Sequence, residues 1–401
     1  MAKQKRSAKR VAPAVREPGF LERNKRQIGW TALVVGLTGM LAVAGWPFAR
    51  AHLQAIAVLQ QVSNKPVPAI VGNIVGESIS VEDLSFEVPS GKVRARVYLP
   101  TDRPDAPSLI VLHGVHHLGI DEPRLESFAA AMASCGLRVL TPELPDIKDY
   151  HVDQKSVETI GESVAWYAKK TGGPVGVMGL SFSGGLALVA ATDPLYEKNF
   201  KFVFAVGSQD RMERVAQYFR TGADARPDGT IERLPAHEYG PLVLEYEYIE
   251  DFVPPADVEA VRTVLRAHLY EDKPAEDAAK AKLNEAQEAE AVAMMDAGSV
   301  ATQARLEQAI EKHGREMEAL SPGDRLKQLK TPVYLLHGEG DNIIPAAETL
   351  WMARELPPSS LRAMLVSPVI SHIDVAASPG LWEQWKLVHL FALVMHEAES
   401  R

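Results

Sequence analysis

The chain has 401 residues, 46% hydrophobic and 24% charged, which suits one large globular domain or two and excludes a disordered polymer. A net charge of −9 and the lack of any nucleic-acid motif argue against nucleic acid as a partner. The single cysteine, Cys135, rules out an intrachain disulfide and reads as a buried small hydrophobe. No Cys/His cluster has metal-ligand spacing, and neither a metal nor an organic cofactor is implied.

Residues 1–26 are strongly basic, with Lys3, Lys5, Arg6, Lys9, Arg10, Arg16, Arg23, Lys25 and Arg26 opposed only by Glu17 and Glu22. An uncharged run follows to Ala49, with Trp30 and Trp46 near its ends. That length crosses a bilayer as a helix, which takes roughly twenty residues. The basic flank predicts a single-pass anchor over 27–49, a cytoplasmic tail over 1–26 and an exported bulk, periplasmic or extracellular. A cleaved signal peptide is the alternative, because Ala42-Val43-Ala44 offers a small-x-small site. A buried core helix fits less well, since the run is apolar on every face.

Residues 50–61 keep helical spacing that Pro66 and Pro68 end, residues 63–76 look like a linker, and 50–76 as a whole are assigned as one. From Ile79 the pattern turns strand-like. Segments 81–88 and 93–99 alternate around a turn at Pro89-Ser90-Gly91-Lys92, with one wet face expected for the second. Strands are then predicted over 108–112, 137–140, 175–180 and 202–206, and helices over 122–134, 156–170 and 183–192. Alternation of this kind predicts a mostly parallel sheet covered on both faces.

The alternation stops at Gly207 and resumes at Thr331. The intervening stretch reads as helical over 257–270, 275–297 and 300–320, and its Ala/Glu-rich part as either a solvated helical hairpin or a partly flexible segment. After it come a strand over 332–336, a helix over 346–356, a strand over 363–367 and a closing helix over 381–397. In that helix Trp382, Trp385, Leu387, Leu390 and Leu393 are candidate core contacts.

The chemistry centres on Gly179-Leu180-Ser181-Phe182-Ser183-Gly184-Gly185. An apolar strand ends in Gly-x-Ser, and small residues precede the next helix. Such a turn lifts a serine hydroxyl above the sheet at the positive end of a helix. The fifth position is Ser183 rather than Gly, and it reads as a tolerated small residue. An ordinary strand-to-helix turn explains the pentapeptide alone equally well. A serine nucleophile needs a base and an orienting acid. Asp341 follows a strand in His337-Gly338-Glu339-Gly340-Asp341, and His372 lies in the loop after the next strand. Asp210, after the preceding strand, is the rival acid. His113 and His337 close His-Gly turns and read as structural. His116 and His117 either line the pocket or face solvent, and His389 and His396 lie on the closing helix.

In this order Ser181, Asp341 and His372 resemble the triad of the α/β-hydrolase superfamily, over about 79–207 and 331–397. His113-Gly114 resembles its oxyanion loop, and His337-Gly338-x-x-Asp341-x-x-x-Pro345 its acid-bearing turn. The resemblance implies Ser181 as nucleophile, Asp341 as acid and His372 as base. It also implies oxyanion donors in the backbone N–H groups of Phe182 and Val115, with His116 the alternative to Val115. It divides the chain into core parts at 77–207 and 331–401 and a lid at 208–330. The expected activity is that of a serine hydrolase cleaving carboxylic esters or thioesters of a lipid-like acyl substrate. The alternatives are an acyltransferase or peptidase using the same triad, or a non-catalytic anchored binding protein of the same fold.

Overall fold

The computed structural model describes residues 40, 43–296, 298–370 and 380–400. Arg50–Arg401 form one compact unit, separate from Met1–Ala49. Its centre is an eight-stranded sheet in the order β1-β2-β4-β3-β5-β6-β9-β10. The strands are β1 Ile79–Val88, β2 Gly91–Pro100, β3 Ser108–Leu112, β4 Arg138–Pro142, β5 Val175–Leu180, β6 Phe200–Val206, β9 Val333–Gly338 and β10 Leu361–Ser367. A small ribbon, β7 Ala223–Ala225 with β8 Ile231–Arg233, lies in the insertion. Strand β2 runs antiparallel to β1 and β4, and the pairs from β4 to β10 are parallel. This is the α/β-hydrolase fold.

The parallel strands are apolar throughout because both faces are covered. Alternate residues serve opposite layers. Ile110, Val177, Val203, Ala205 and Leu335 face one core, together with helices Gln154–Thr171 and Phe182–Thr192. Leu109, Met178, Phe202, Phe204 and Tyr334 face the other, with helices Pro123–Ser134 and Leu381–Glu399. On β2 the alternation is Val93, Ala95 and Val97 inward against Arg94 and Arg96, which pair with Asp121 at 2.7 Å and Asp83 at 2.6 Å. Cys135 is buried as expected, and burial pushes its thiol up to about 12.

Three expectations change. The stretch 50–76 is not a bare linker. Residues 50–62 are helical, Ala69–Val75 form a second helix, and Ala51, Ala55, Val58, Val71 and Val75 enter the second core. Pro68 stands just before a helix, where a missing N–H costs nothing. The insertion carries its own core instead of a solvated hairpin, built from Tyr246, Phe252, Val264, Leu265, Met294, Leu306, Ile310 and Met317 among others. Its predicted long helices are broken. Lys273–Lys280 and Glu285–Met295 part where Asn284 and Gln287 form a capping box, and Val300–Lys312 and Gly314–Ala319 part at His313. Finally, Trp382 and Trp385 lie on the outer face of the closing helix, 68% and 46% exposed, while Leu387 and Leu390 face the core.

Among the described residues no helix is long and apolar enough to cross a membrane. Most of 27–49 lies outside those residues.

Candidate active site

The order of strands reverses beside β3, whose neighbours are β4 and β5. At such a switch point the loops leaving the carboxyl ends of adjacent strands open a crevice. His113-Gly114-Val115 leaves β3 and Ser181 leaves β5 into that crevice. The two loops are close: a Cβ added to Gly114 would lie 3.2 Å from the Ser181 Cβ.

Ser181 has φ 56° and ψ −137°, a left-handed conformation for a residue with a side chain. Holding it there costs roughly 1–3 kcal/mol, which surrounding contacts must supply. Its N–H donates to the Val206 carbonyl at 2.8 Å, and helix Phe182–Thr192 starts at the next residue. The turn closes only over small residues. A Cβ on Gly179 would lie 2.4 Å from the Gly184 Cα, and one on Gly184 would lie 2.0 Å from the Ser208 Oγ. The serine is half-buried, at the N-terminus of a helix whose first amides point toward it.

Asp341 lies three residues past β9, which is separated from β5 only by β6, so both residues stand at one sheet edge. Its carboxylate is buried. Oδ1 accepts from the N–H groups of Ile343 at 2.9 Å and Ile344 at 3.0 Å, which set its orientation. The insertion touches this turn, since the His237 N–H donates to the Asn342 carbonyl at 2.9 Å. His372 lies outside the described residues. It follows β10, the neighbour of β9.

The other sequence candidates occupy different places. His337 is fully buried, with Nδ1 2.7 Å from the Thr349 Oγ1 and Nε2 2.8 Å from the Ile344 carbonyl. Asp210 is buried in an ion cluster with Arg214 at 2.8 Å, while Glu348 takes the N–H groups of Asp210 and Arg211 at 2.8 Å each. Burial, and then the charge of Glu348, push Asp210 up to about 6. That cluster fastens helix Met212–Thr221 of the insertion to helix Ala347–Glu355 and to the loop after β6. His116 stacks on His117 and His117 on Tyr270, which joins the loop after β3 to the insertion. His389 stacks with His52 away from the sheet edge.

The Val115 and Phe182 amides donate to no other described residue. Phe182 also lines a small apolar pocket of about 30 Å³, with Tyr150, Met212, Phe219, Leu244 and Met317 among its other walls. Its one carboxylate, Glu247, lies 2.8 Å from His151 Nδ1. Sequence reading misses the part played by Ser183. Its Oγ is buried and donates to the His113 carbonyl at 2.5 Å. The irregular fifth position of the motif is the available signal. Among the described residues no group of acidic, His and Cys side chains could hold a metal ion.

A comparison with curated proteins finds no match. Similar solved structures include the acylaminoacyl peptidase of Pyrococcus horikoshii, 13% identical, covering 76% of this chain and 39% of that one, with a TM-score of 0.44. An esterase of Pyrobaculum calidifontis is 16% identical over 87% of this chain and 91% of its own, with a TM-score of 0.43. A 2-hydroxy-6-oxo-6-phenylhexa-2,4-dienoate hydrolase of Rhodococcus is 18% identical over 79% and 100%, with a TM-score of 0.38. The chain thus spans about two fifths of the archaeal peptidase. The X-Pro dipeptidyl-peptidase (S15) family model matches residues 146–372. That span is more than half of the chain and takes in Ser181, Asp341 and His372, so the chain belongs to the S15 family, within the α/β-hydrolase superfamily.

Proposed function

We infer that the protein is a membrane-anchored hydrolase that cleaves carboxylic esters or thioesters with a hydrophobic acyl group. Ser181 attacks the carbonyl, His372 takes its proton and returns it to the leaving group, and Asp341 holds the imidazole. Water then resolves the acyl-enzyme. The N–H groups of Val115 and Phe182 receive the oxyanion, each contributing on the order of 3 kcal/mol to the tetrahedral stage. Residues 27–49 hold the enzyme in the membrane with the catalytic unit exported.

The observation that carries this reading is the strained Ser181 at the head of a helix whose first residue, Phe182, lines an apolar pocket. A second reading is release of X-Pro dipeptides, the activity in the family's description. Glu247, the carboxylate in the pocket wall, supports it as a partner for a peptide amine. Turnover of p-nitrophenyl butyrate against an X-Pro p-nitroanilide decides between them. Ester turnover at least tenfold faster in kcat/KM supports the first reading, and the reverse order supports the second. Ser181→Ala should lower either activity roughly ten-thousandfold or more. Retained activity in that variant would overturn the site. A reporter joined after Ala49 that reads cytoplasmic would overturn the topology.

A further inference from the structure

We propose that Ser183, the residue that departs from the expected glycine, is a positioning residue for the oxyanion hole and acts through the peptide planes of the loop after β3. This rests on the assignment of Ser181 as nucleophile and Val115 as oxyanion donor.

Three hydrogen bonds form a chain. The Ser183 Oγ donates to the His113 carbonyl at 2.5 Å. The Leu144 N–H donates to the His113 Nε2 at 3.0 Å, so the proton sits on Nδ1. That Nδ1–H donates to the Gly114 carbonyl at 2.8 Å. Burial lowers the His113 ring to about 4, so it stays neutral and this tautomer persists at physiological pH.

A peptide unit is planar, so fixing a carbonyl fixes the N–H of the following residue on the opposite side. The Gly114 carbonyl shares its plane with the Val115 N–H. The His113 ring therefore aims the Val115 N–H. The His113 carbonyl shares its plane with the Gly114 N–H, and Ser183 holds that plane. Ser183 is two residues from Ser181 on the first turn of the same helix. One rigid element thus carries the nucleophile, the Phe182 amide and the anchor of the peptide plane just before the one that presents the Val115 amide. A glycine at 183 leaves the turn feasible but unties the loop from the elbow.

The test uses the full chain with Ser183→Gly and Ser183→Ala, at a temperature where circular dichroism shows both folded. Turnover of a short p-nitrophenyl ester, the rate of labelling by a fluorophosphonate, and inhibition by a trifluoromethyl ketone, which forms a tetrahedral adduct, are measured. The expected result is a fall in kcat and in labelling rate of about tenfold to a hundredfold. KM should stay within about threefold, and ketone affinity should fall in step with kcat. A change in thermal stability alone, with kcat and ketone affinity unaltered, overturns the proposal, as does a rise in KM alone. If both variants fail to fold, His113→Asn takes their place. It lacks the Nε2 that accepts from the Leu144 N–H, so nothing fixes how its amide faces the Gly114 carbonyl, and an unaltered kcat there overturns the proposal equally. Wild-type protein that neither turns over esters or peptides nor takes the phosphonate defeats the Ser181 assignment itself. A labelled wild type beside an undiminished Ser183→Gly defeats only the role of Ser183.

Discussion

A carbon atom added to Gly184, at the edge of the sheet that carries Ser181, would lie 2.0 Å from the Ser208 Oγ. One added to Gly314 in the helical insertion would meet nothing within 4 Å. The two regions solve different problems. The elbow holds Ser181 in a strained conformation, and only close contact on every side keeps it there. The insertion is built from short helices around its own apolar cluster, and it tolerates a buried carboxylic acid at its centre. Close packing surrounds Ser181 on every side, whereas in the insertion it is local: tight at Gly240, where a Cβ would lie 2.5 Å from the Phe219 ring, and open at Gly314.

The largest expected effect tests the tight side of this contrast. Gly184→Ala places a methyl group against the Ser208 side chain and 2.8 Å from the Gly179 carbonyl, both parts of the sheet edge. Overpacking of this kind costs about 3 kcal/mol, and relief of the clash must move the turn that carries Ser181. The expected result is a lower urea midpoint and near-total loss of phosphonate labelling. A variant that labels at the wild-type rate would show that the elbow is not fixed by close packing.

The next effect belongs to the insertion. Glu245 is fully buried on helix Tyr239–Glu247, and neither carboxyl oxygen has a hydrogen-bond partner among the described residues. Burial pushes it up to about 9 from 4.5, and the nearby Arg305, engaged with Glu290 and the Phe252 carbonyl, offsets little of that. In the unfolded chain the acid ionises above about pH 4.5, whereas the folded protein keeps its proton to about pH 9. The folded state therefore binds the extra proton in that window, and stability falls as pH rises through it. Water entry and local relaxation limit the loss to roughly 2 kcal/mol. Glu245→Gln should remove this slope, so that the variant gains on the wild type between pH 5 and 9. Asp210, pushed up to about 6, adds a slope of the same sign, but it is present in both proteins and cancels in the difference. Denaturant midpoints at several pH values measure it. Parallel curves would mean that the carboxyl group is solvated and that the insertion has no dry centre.

The same contrast explains which elements are legible in the amino-acid sequence. Short apolar runs ending in Gly or His-Gly announce β3, β5, β6 and β9, because a strand buried on both faces has few alternatives. The turn at Ser181 is visible for the same reason: its small residues are demanded by contacts within the motif itself. The insertion is harder to read. Asn284 and Gln287 do signal a new helix, but Ala-rich helix propensity runs across them. The cluster joining Phe252, Leu265 and Ile310 depends on contacts between distant segments. The closing helix is apolar on several sides, so its pattern does not place Trp382 and Trp385 outside. The hydrogen bond of Ser183 reaches a carbonyl seventy positions away, and no local pattern announces it.

The smallest effect tests the loose side. Gly314 opens helix Gly314–Ala319 and does not adopt a left-handed backbone. Alanine fits that conformation without strain, and it restricts the unfolded chain more than glycine does. Gly314→Ala should therefore raise stability by about 0.5 kcal/mol with kcat and KM unchanged, read from urea midpoints and ester turnover. The gain comes from the unfolded state, so it needs no new contact in the fold. A loss of stability would mean that the joint between Val300–Lys312 and Gly314–Ala319 is fitted as closely as the elbow. A lower kcat would tie that joint to the reacting site. In either case tight packing would extend from Ser181 into the roof, and the division between a strict edge and a permissive insertion would fall.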